Sequence, residues 1–213
     1  MLPGGGVSGI AAEPLKRPAV DSEELRLLDA AAAGDREARR QLFERHRDAA
    51  YQVAFRLTGR MEDALDVVQD SFITAFEKLG GFARASGFKT WLLRIATNRA
   101  LDLLRSRRLR LGVSLEAVEG EGGLPRMVAL PLEGRAVPSL EQQELGERIR
   151  QAVELLPPEQ RAVFSLYAAG DMTYGQIADV LEVPIGTVMS RLFHARRRLH
   201  ELLPDLVPRV TGR

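Results

Sequence analysis

The chain has 213 residues, 45% of them hydrophobic and 28% charged, with a formal net charge of +1 and a mean hydropathy of −0.13. That balance suits one medium or two small water-facing domains, and no apolar run approaches the roughly 18 residues of a membrane span, so membrane insertion is excluded. Cysteine is absent and the three histidines, His46, His194 and His200, lack metal-site spacing, which removes disulfides, thiolate chemistry and a metal centre.

Residues 1–20 are rich in Gly, Pro and Ala without periodicity and read as a flexible tail. The start lacks a basic segment followed by an apolar core, so no secretory signal is read and the expected location is the cytoplasm. From 21 to 110 the pattern is helical, with helices expected near 22–33, 35–58, 61–79 and 88–109, punctuated by Gly34, Gly59 and the Gly80-Gly81 pair. Four helices on short connections predict a bundle. In the third, Leu65, Val68, Phe72, Phe76 and Leu79 recur at steps of three and four and predict one buried stripe. Its acidic and amide side chains, Asp63, Asp66, Gln69 and Asp70, are then expected on the outer face.

The fourth helix reverses the charge. Between Arg94 and Arg110 stand six arginines against the single Asp102, a net of +5 and a candidate phosphate-binding surface. Arg94, Asn98 and Arg105 fall near one helical face, with Lys89 and Thr90 at its start. Trp91 reads as a core anchor, since Leu92, Ile95 and Ala96 continue an apolar patch beside it.

Residues 111–138, with repeated Gly and Pro and no helical period, form a linker that is not purely polar, because Val128, Ala129, Leu130 and Leu132 lie within it. Residues 139–204 resume the helical pattern as a second domain, followed by a tail at 205–213.

The most specific local signal lies between Thr173 and Leu203. Thr173-Tyr174-Gly175-Gln176 is a capping box, in which hydroxyl and amide satisfy each other's backbone N–H groups, so a helix starts at Tyr174. Its buried face is expected at Ile177, Ala178 and Leu181. Val183-Pro184-Ile185-Gly186 then forces a turn, because proline disfavours helix at the residue before it. A second helix is expected from Thr187, with Val188, Leu192 and Leu199 inward and Ser190, Arg191, His194, Arg197 and Arg198 outward. This is a helix-turn-helix, whose basic second helix fits the major groove of DNA.

Both halves contain longer motifs. Asp63-Ala64-Leu65-Asp66-Val67-Val68-Gln69-Asp70-Ser71-Phe72 resembles the polymerase-binding segment, region 2.2, of extracytoplasmic-function (ECF) sigma factors, the RpoE-like group IV of the sigma-70 family. Phe88-Lys89-Thr90-Trp91 through Leu104-Arg105 resembles that family's promoter-opening helix. Leu155-Leu156-Pro157-Pro158-Glu159-Gln160-Arg161 with the helix-turn-helix resembles sigma region 4.

The resemblance, over about residues 30–203, implies an all-α protein of two small helical domains on a flexible linker: a region 2-like bundle and a region 4-like helix-turn-helix domain. It implies a non-enzymatic initiation factor without cofactor or metal. Its partners would be core RNA polymerase, at the β′ clamp helices and the β flap, promoter DNA, and an anti-sigma protein.

By the same resemblance Asp63, Asp66, Gln69 and Asp70 bind polymerase, and Lys89, Thr90, Arg94, Asn98 and Arg105 hold melted −10 DNA. Thr187, Ser190, Arg191, Phe193, His194 and Arg197 read the −35 element. An outward acidic face suits a basic partner, and strand opening needs cations for phosphates and a surface for unstacked bases. The chain departs from the family where Ala83 follows Phe82 in place of arginine, and where Met189 and His194 replace two basic positions of the recognition helix. His194 is therefore a lesser, pH-sensitive contact, while Phe193 meets a thymine methyl or packs on a neighbouring helix.

Two other classes remain open on the residues alone. A dimeric operator-binding regulator accounts for the helix-turn-helix but leaves the acidic helix, the basic helix and the linker without a role. A magnesium-dependent nuclease would use Asp63, Asp66 and Asp70, yet carboxylates on one helix without a converging second element make a poor metal site.

Overall fold

The computed structural model describes residues 22–84, 86–111 and 140–205, with side chains described for 22–84, 86–107 and 144–205. Apart from Leu111, which ends α4, and Asp205, which pairs with Arg148, the tails and the linker expected from the sequence lie outside these residues. Among the described residues the fold is all helical: α1 (Ser22–Ala32), α2 (Arg36–Thr58), α3 (Met61–Lys78), a short 3-10 turn (Leu79–Gly81), α4 (Phe88–Leu111), α5 (Leu140–Glu154), α6 (Pro158–Ala168), α7 (Tyr174–Leu181) and α8 (Ile185–Leu202).

Local chemistry sets several of these limits. Asp35 caps α2, accepting the N–H groups of Glu37 at 2.8 Å and Ala38 at 3.0 Å. Gly59 ends α2 in the left-handed region, φ 72°, and its N–H returns to Phe55 O. Pro158 opens α6 at a position where its missing N–H costs nothing.

α2 is the central helix, packed against α1, α3 and α4. Its buried residues Leu42, Ala50, Val53, Ala54 and Leu57 meet Val67, Val68, Phe72 and Ala75 of α3 and Leu92, Leu93, Ala96 and Ala100 of α4. Phe43 and Phe72 meet edge to face at 4.8 Å.

α3 is rotated from its sequence-expected phase. Ala64, Val67, Val68, Ser71, Phe72 and Ala75 are buried, while Leu65 is 45% exposed. The cause is crowding: with α2 and α4 both closing on α3, the small Ala64 and Ala75 take the inside positions that the large-residue pattern assigned to Leu65.

α6, α7 and α8 form the second unit, and they do not stand apart from the first. α6 packs on α2, and α7 packs on α4. Ala162, Val163 and Leu166 of α6, with Ile177, Val180, Val188 and Leu192, belong to one apolar core with Leu57, Leu92 and Leu93. Arg161 of α6 donates to Leu57 O at 3.1 Å, a backbone acceptor at the end of α2. Linker length and composition carry no information about this packing.

Candidate nucleic-acid interface

The helix-turn-helix forms as its capping box requires. Thr173 N–H donates to Gln176 Oε1 at 2.9 Å, and Gln176 N–H donates to Thr173 Oγ1 at 3.3 Å. The turn differs from expectation. α8 begins at Ile185, two residues early, with Thr187 N–H and Val188 N–H both donating to Pro184 O. Proline's fixed φ pre-forms the entry to the helix, so Gly186 lies inside α8, and the left-handed residue of the turn is Glu182 at φ 54°.

α8 buries Val188, Leu192 and Ala195, which turns Ser190, His194 and Arg197 outward. Thr187 and Arg191 are half-buried at the edges of that face. Arg191 has no hydrogen-bond or ion-pair partner among the described residues, whereas Arg197 and Arg198 each reach Glu201 at 3.3 Å. Phe193 is 64% exposed, and its ring neighbour is His194 on the same helix. Of the two readings left open for Phe193, packing on a neighbouring helix is therefore corrected: its position on α8 points away from the core.

On α4, Asn98 is exposed and Lys89 half-exposed. Arg105 pairs with Asp102 one turn before it at 2.7 Å. Trp91 lies flat on Phe82 with ring centroids 4.6 Å apart and touches Phe88, as a core anchor should. Thr90 departs from expectation, being only 5% exposed. It accepts from Gln176 Nε2 at 3.4 Å, because the capping residue of α7 sits on the first turn of α4. Arg94 pairs with Glu182 of the helix-turn-helix turn. Of the five −10 candidates, Thr90 is thus covered by the second unit, and Arg94 is paired with it while staying 39% exposed.

The acidic face of α3 also needs one correction. Asp63, expected outward, is 8% exposed and pairs with Arg107 near the end of α4, with Arg60 Nε 3.9 Å from its Oδ2. It lies at the edge of the buried face, where α4 comes close enough to cover it. Asp70 pairs with Arg99 at 2.7 Å in the open. Asp66 and Gln69 are exposed and have no partner among the described residues. Beside them stand two residues that sequence reading missed, Leu65 and Ile73, 45% and 48% exposed. With Gln69 they follow a step of four along one face. The available signal was that spacing, which the larger stripe through Val68 and Phe72 masked.

Among the described residues no group of His, Cys, Asp or Glu is placed to hold a metal ion, and no helix is long and apolar enough to cross a membrane.

An acidic, partly apolar helix face, a basic helix beside it and a helix-turn-helix in the second unit are the surfaces of a multi-site helical DNA-binding protein. The comparisons agree. Residues 42–110 match the model for sigma-70 region 2, and residues 146–199 match that for sigma-70 region 4. The ECF RNA polymerase sigma factor SigW of Bacillus subtilis (strain 168) is 32% identical over 177 residues, which cover 81% of this chain and 92% of that protein. The ECF RNA polymerase sigma-E factor of Escherichia coli (strain K12) is 32% identical over 192 residues, covering 86% and 95%. Among solved structures, CnrH in complex with the cytosolic domain of CnrY superposes with a TM-score of 0.62 at 28% identity, covering 86% of this chain and 98% of that one. The sigma factor RpoE with the anti-sigma factor NepR from Bartonella quintana superposes with a TM-score of 0.53 at 27% identity, covering 86% and 95%.

The chain belongs to the ECF sigma factors of the sigma-70 family. As such it directs promoter-specific transcription by RNA polymerase, and the dimeric operator-binding reading is not favoured.

Proposed function

We propose the following division of labour. The outer face of α3, through Asp66, Gln69 and Asp70 with the apolar Leu65 and Ile73, docks on the β′ clamp helices of core polymerase, and the second unit meets the β flap. Charge gives such docking its register and rate, and the exposed apolar pair adds area that the acidic residues alone lack. Asp63 has a structural role, holding α3 to α4.

Lys89, Arg94, Asn98 and Arg105, with Thr90 at the helix start, hold the melted −10 strand. Thr187, Ser190, Arg191, Phe193, His194 and Arg197 read the −35 duplex. The observation that carries this reading is the combination of a basic α4 with an Arg191 that has no partner among the described residues, at the edge of the outward face of α8. Because Gln176 contacts the buried Thr90 and Glu182 pairs with Arg94, the second unit leaves α4 before −10 DNA binds. The boundaries that go with this assignment are 21–110 for the first domain, 111–138 for the linker and 139–204 for the second domain.

The protein acts without catalysis of its own and in the cytoplasm, where polymerase works. One solved relative is in complex with the cytosolic domain of CnrY and another with the anti-sigma factor NepR, and an anti-sigma partner belongs to this proposal on the second likeness. The test is reconstitution: the full chain with bacterial core polymerase should co-elute as a stoichiometric complex and start transcripts on promoter DNA. Specific duplex binding without any such complex would overturn the assignment.

A further inference from the structure

α8 carries a feature that phosphate contacts do not use. Ile185, Met189 and Phe193 are 48%, 54% and 64% exposed, and they follow one another at steps of four. At ~100° per residue they share an arc of about 80° on the helix, and at ~1.5 Å per residue they span about 12 Å. They form a continuous apolar ridge on a helix whose remaining outward residues are mostly cationic or hydroxylic: Ser190, Arg196, Arg197 and Arg198.

Leaving three large apolar side chains in water on one short helix is unfavourable unless a partner covers them. The surroundings select that partner. Arg196 and Arg197 follow Phe193 at steps of three and four and so flank the ridge, Arg196 lying over the Tyr167 ring at 4.9 Å, and Glu201 is the one carboxylate of α8. An apolar ridge bordered by cations complements a surface that is apolar in its centre and anionic at its rims. The major groove of DNA where thymines stand is such a surface, with C5-methyl groups on its floor and phosphates along its edges. A ridge of about 12 Å matches three to four base steps of ~3.4 Å each.

We propose that Ile185, Met189 and Phe193 read thymine methyl groups, so that the upstream promoter element of this sigma factor is specified by methyl contacts. The inference rests on the −35 reading above and adds its chemical basis. Met189 and Phe193 are the specificity-determining members, being the most exposed. Ile185 opens the helix and meets the outermost base pair. A methyl group buried in such a contact is worth a factor of about four in affinity.

The experiment uses the full chain bound to core RNA polymerase. Promoter duplexes randomised across the upstream element are selected for binding, and the winning element is resynthesised with deoxyuridine in place of each thymine, which deletes the methyl and nothing else. The expected result is a selected element with two or more neighbouring thymines, a loss of about fourfold for each methyl removed, and a Met189→Ala/Phe193→Ala variant that binds thymine and uracil duplexes alike. Arg191→Ala, by contrast, should weaken both duplexes equally. Uracil duplexes bound as tightly as thymine duplexes would overturn the methyl reading while leaving −35 recognition intact. Failure of any upstream element to be selected by a complex that does form would overturn −35 recognition itself. A double variant with unaltered DNA binding that loses an inhibitory protein partner would assign the ridge to that partner and overturn the proposal. Met189 and Phe193 are exposed and Arg191 is half-buried at the edge of the helix, so an unaltered circular dichroism melt of each variant separates a lost contact from a lost fold.

Discussion

Gln176 donates to the Thr90 hydroxyl at 3.4 Å across 86 residues of chain, so a member of the capping box of α7 also contacts the first turn of α4. With Glu182 on Arg94 and Arg161 on Leu57 O, it makes one side of a joint between the two units. The polar contacts are individually weak, because both Arg94 and Glu182 stay substantially in water and such pairs contribute about 0–1 kcal/mol. The joint is therefore held mainly by apolar burial around Leu93, Leu166 and Ile177.

Glu182→Arg replaces attraction by repulsion at the joint. The open population should rise by up to about fivefold, seen as a longer distance between fluorophores on α3 and α8. An unchanged distance distribution would show that the ion pair is not part of what holds the units together.

Asp63 and Asp70 should separate stability from docking. Asp63→Ala leaves Arg107 without its partner in a half-buried site and should cost about 1–3 kcal/mol, below a fully buried pair because Arg107 keeps contact with water. Asp70→Arg should shift stability by no more than about 0.5 kcal/mol and abolish core binding. Chemical denaturation and co-elution with core polymerase read the two effects independently.

The cap of α7 offers a local test. Thr173→Ala removes the hydroxyl that accepts Gln176 N–H and should cost about 1 kcal/mol. Because Gln176 is also released from Thr173, its bond to Thr90 should weaken, and amide hydrogen exchange in the first turn of α4 should accelerate along with that of α7. Exchange confined to α7 would uncouple the two helices.

Glu154 gives the pH dependence. Burial pushes its carboxyl above the ordinary range, opposed by the Arg150 guanidinium beside it. A carboxyl raised on folding adds stability that is full below its unfolded value and is lost as pH rises through its folded value. Glu147 runs the other way: its bond to Arg150 holds it low, so its contribution is present above its unfolded value and lost as pH falls. Glu154→Gln should therefore gain on the parent protein as pH rises from about 4 to 7, measured by urea unfolding across that range. A difference independent of pH would contradict the assignment.

Much of this protein is legible in its sequence because the signals are local. Gly59 stops α2 and Thr173 and Gln176 start α7 through contacts within a turn or two of helix, and the arginines of α4 and α8 make those helices basic. What the sequence could not decide is the phase and partner of each helix. Leu65 reads as core by spacing, yet α2 and α4 close around Ala64 and Ala75 and leave it outside. Asp63 reads as exposed until α4 brings Arg107 to it. Phe193 has two equivalent readings until the packing of α8 on Val188, Leu192 and Ala195 turns it to solvent. The contacts on Thr90 and Arg94 depend on residues distant in the chain. Helix formation answers to neighbours three and four residues away, whereas burial depends on which surfaces meet, and that only the tertiary structure decides.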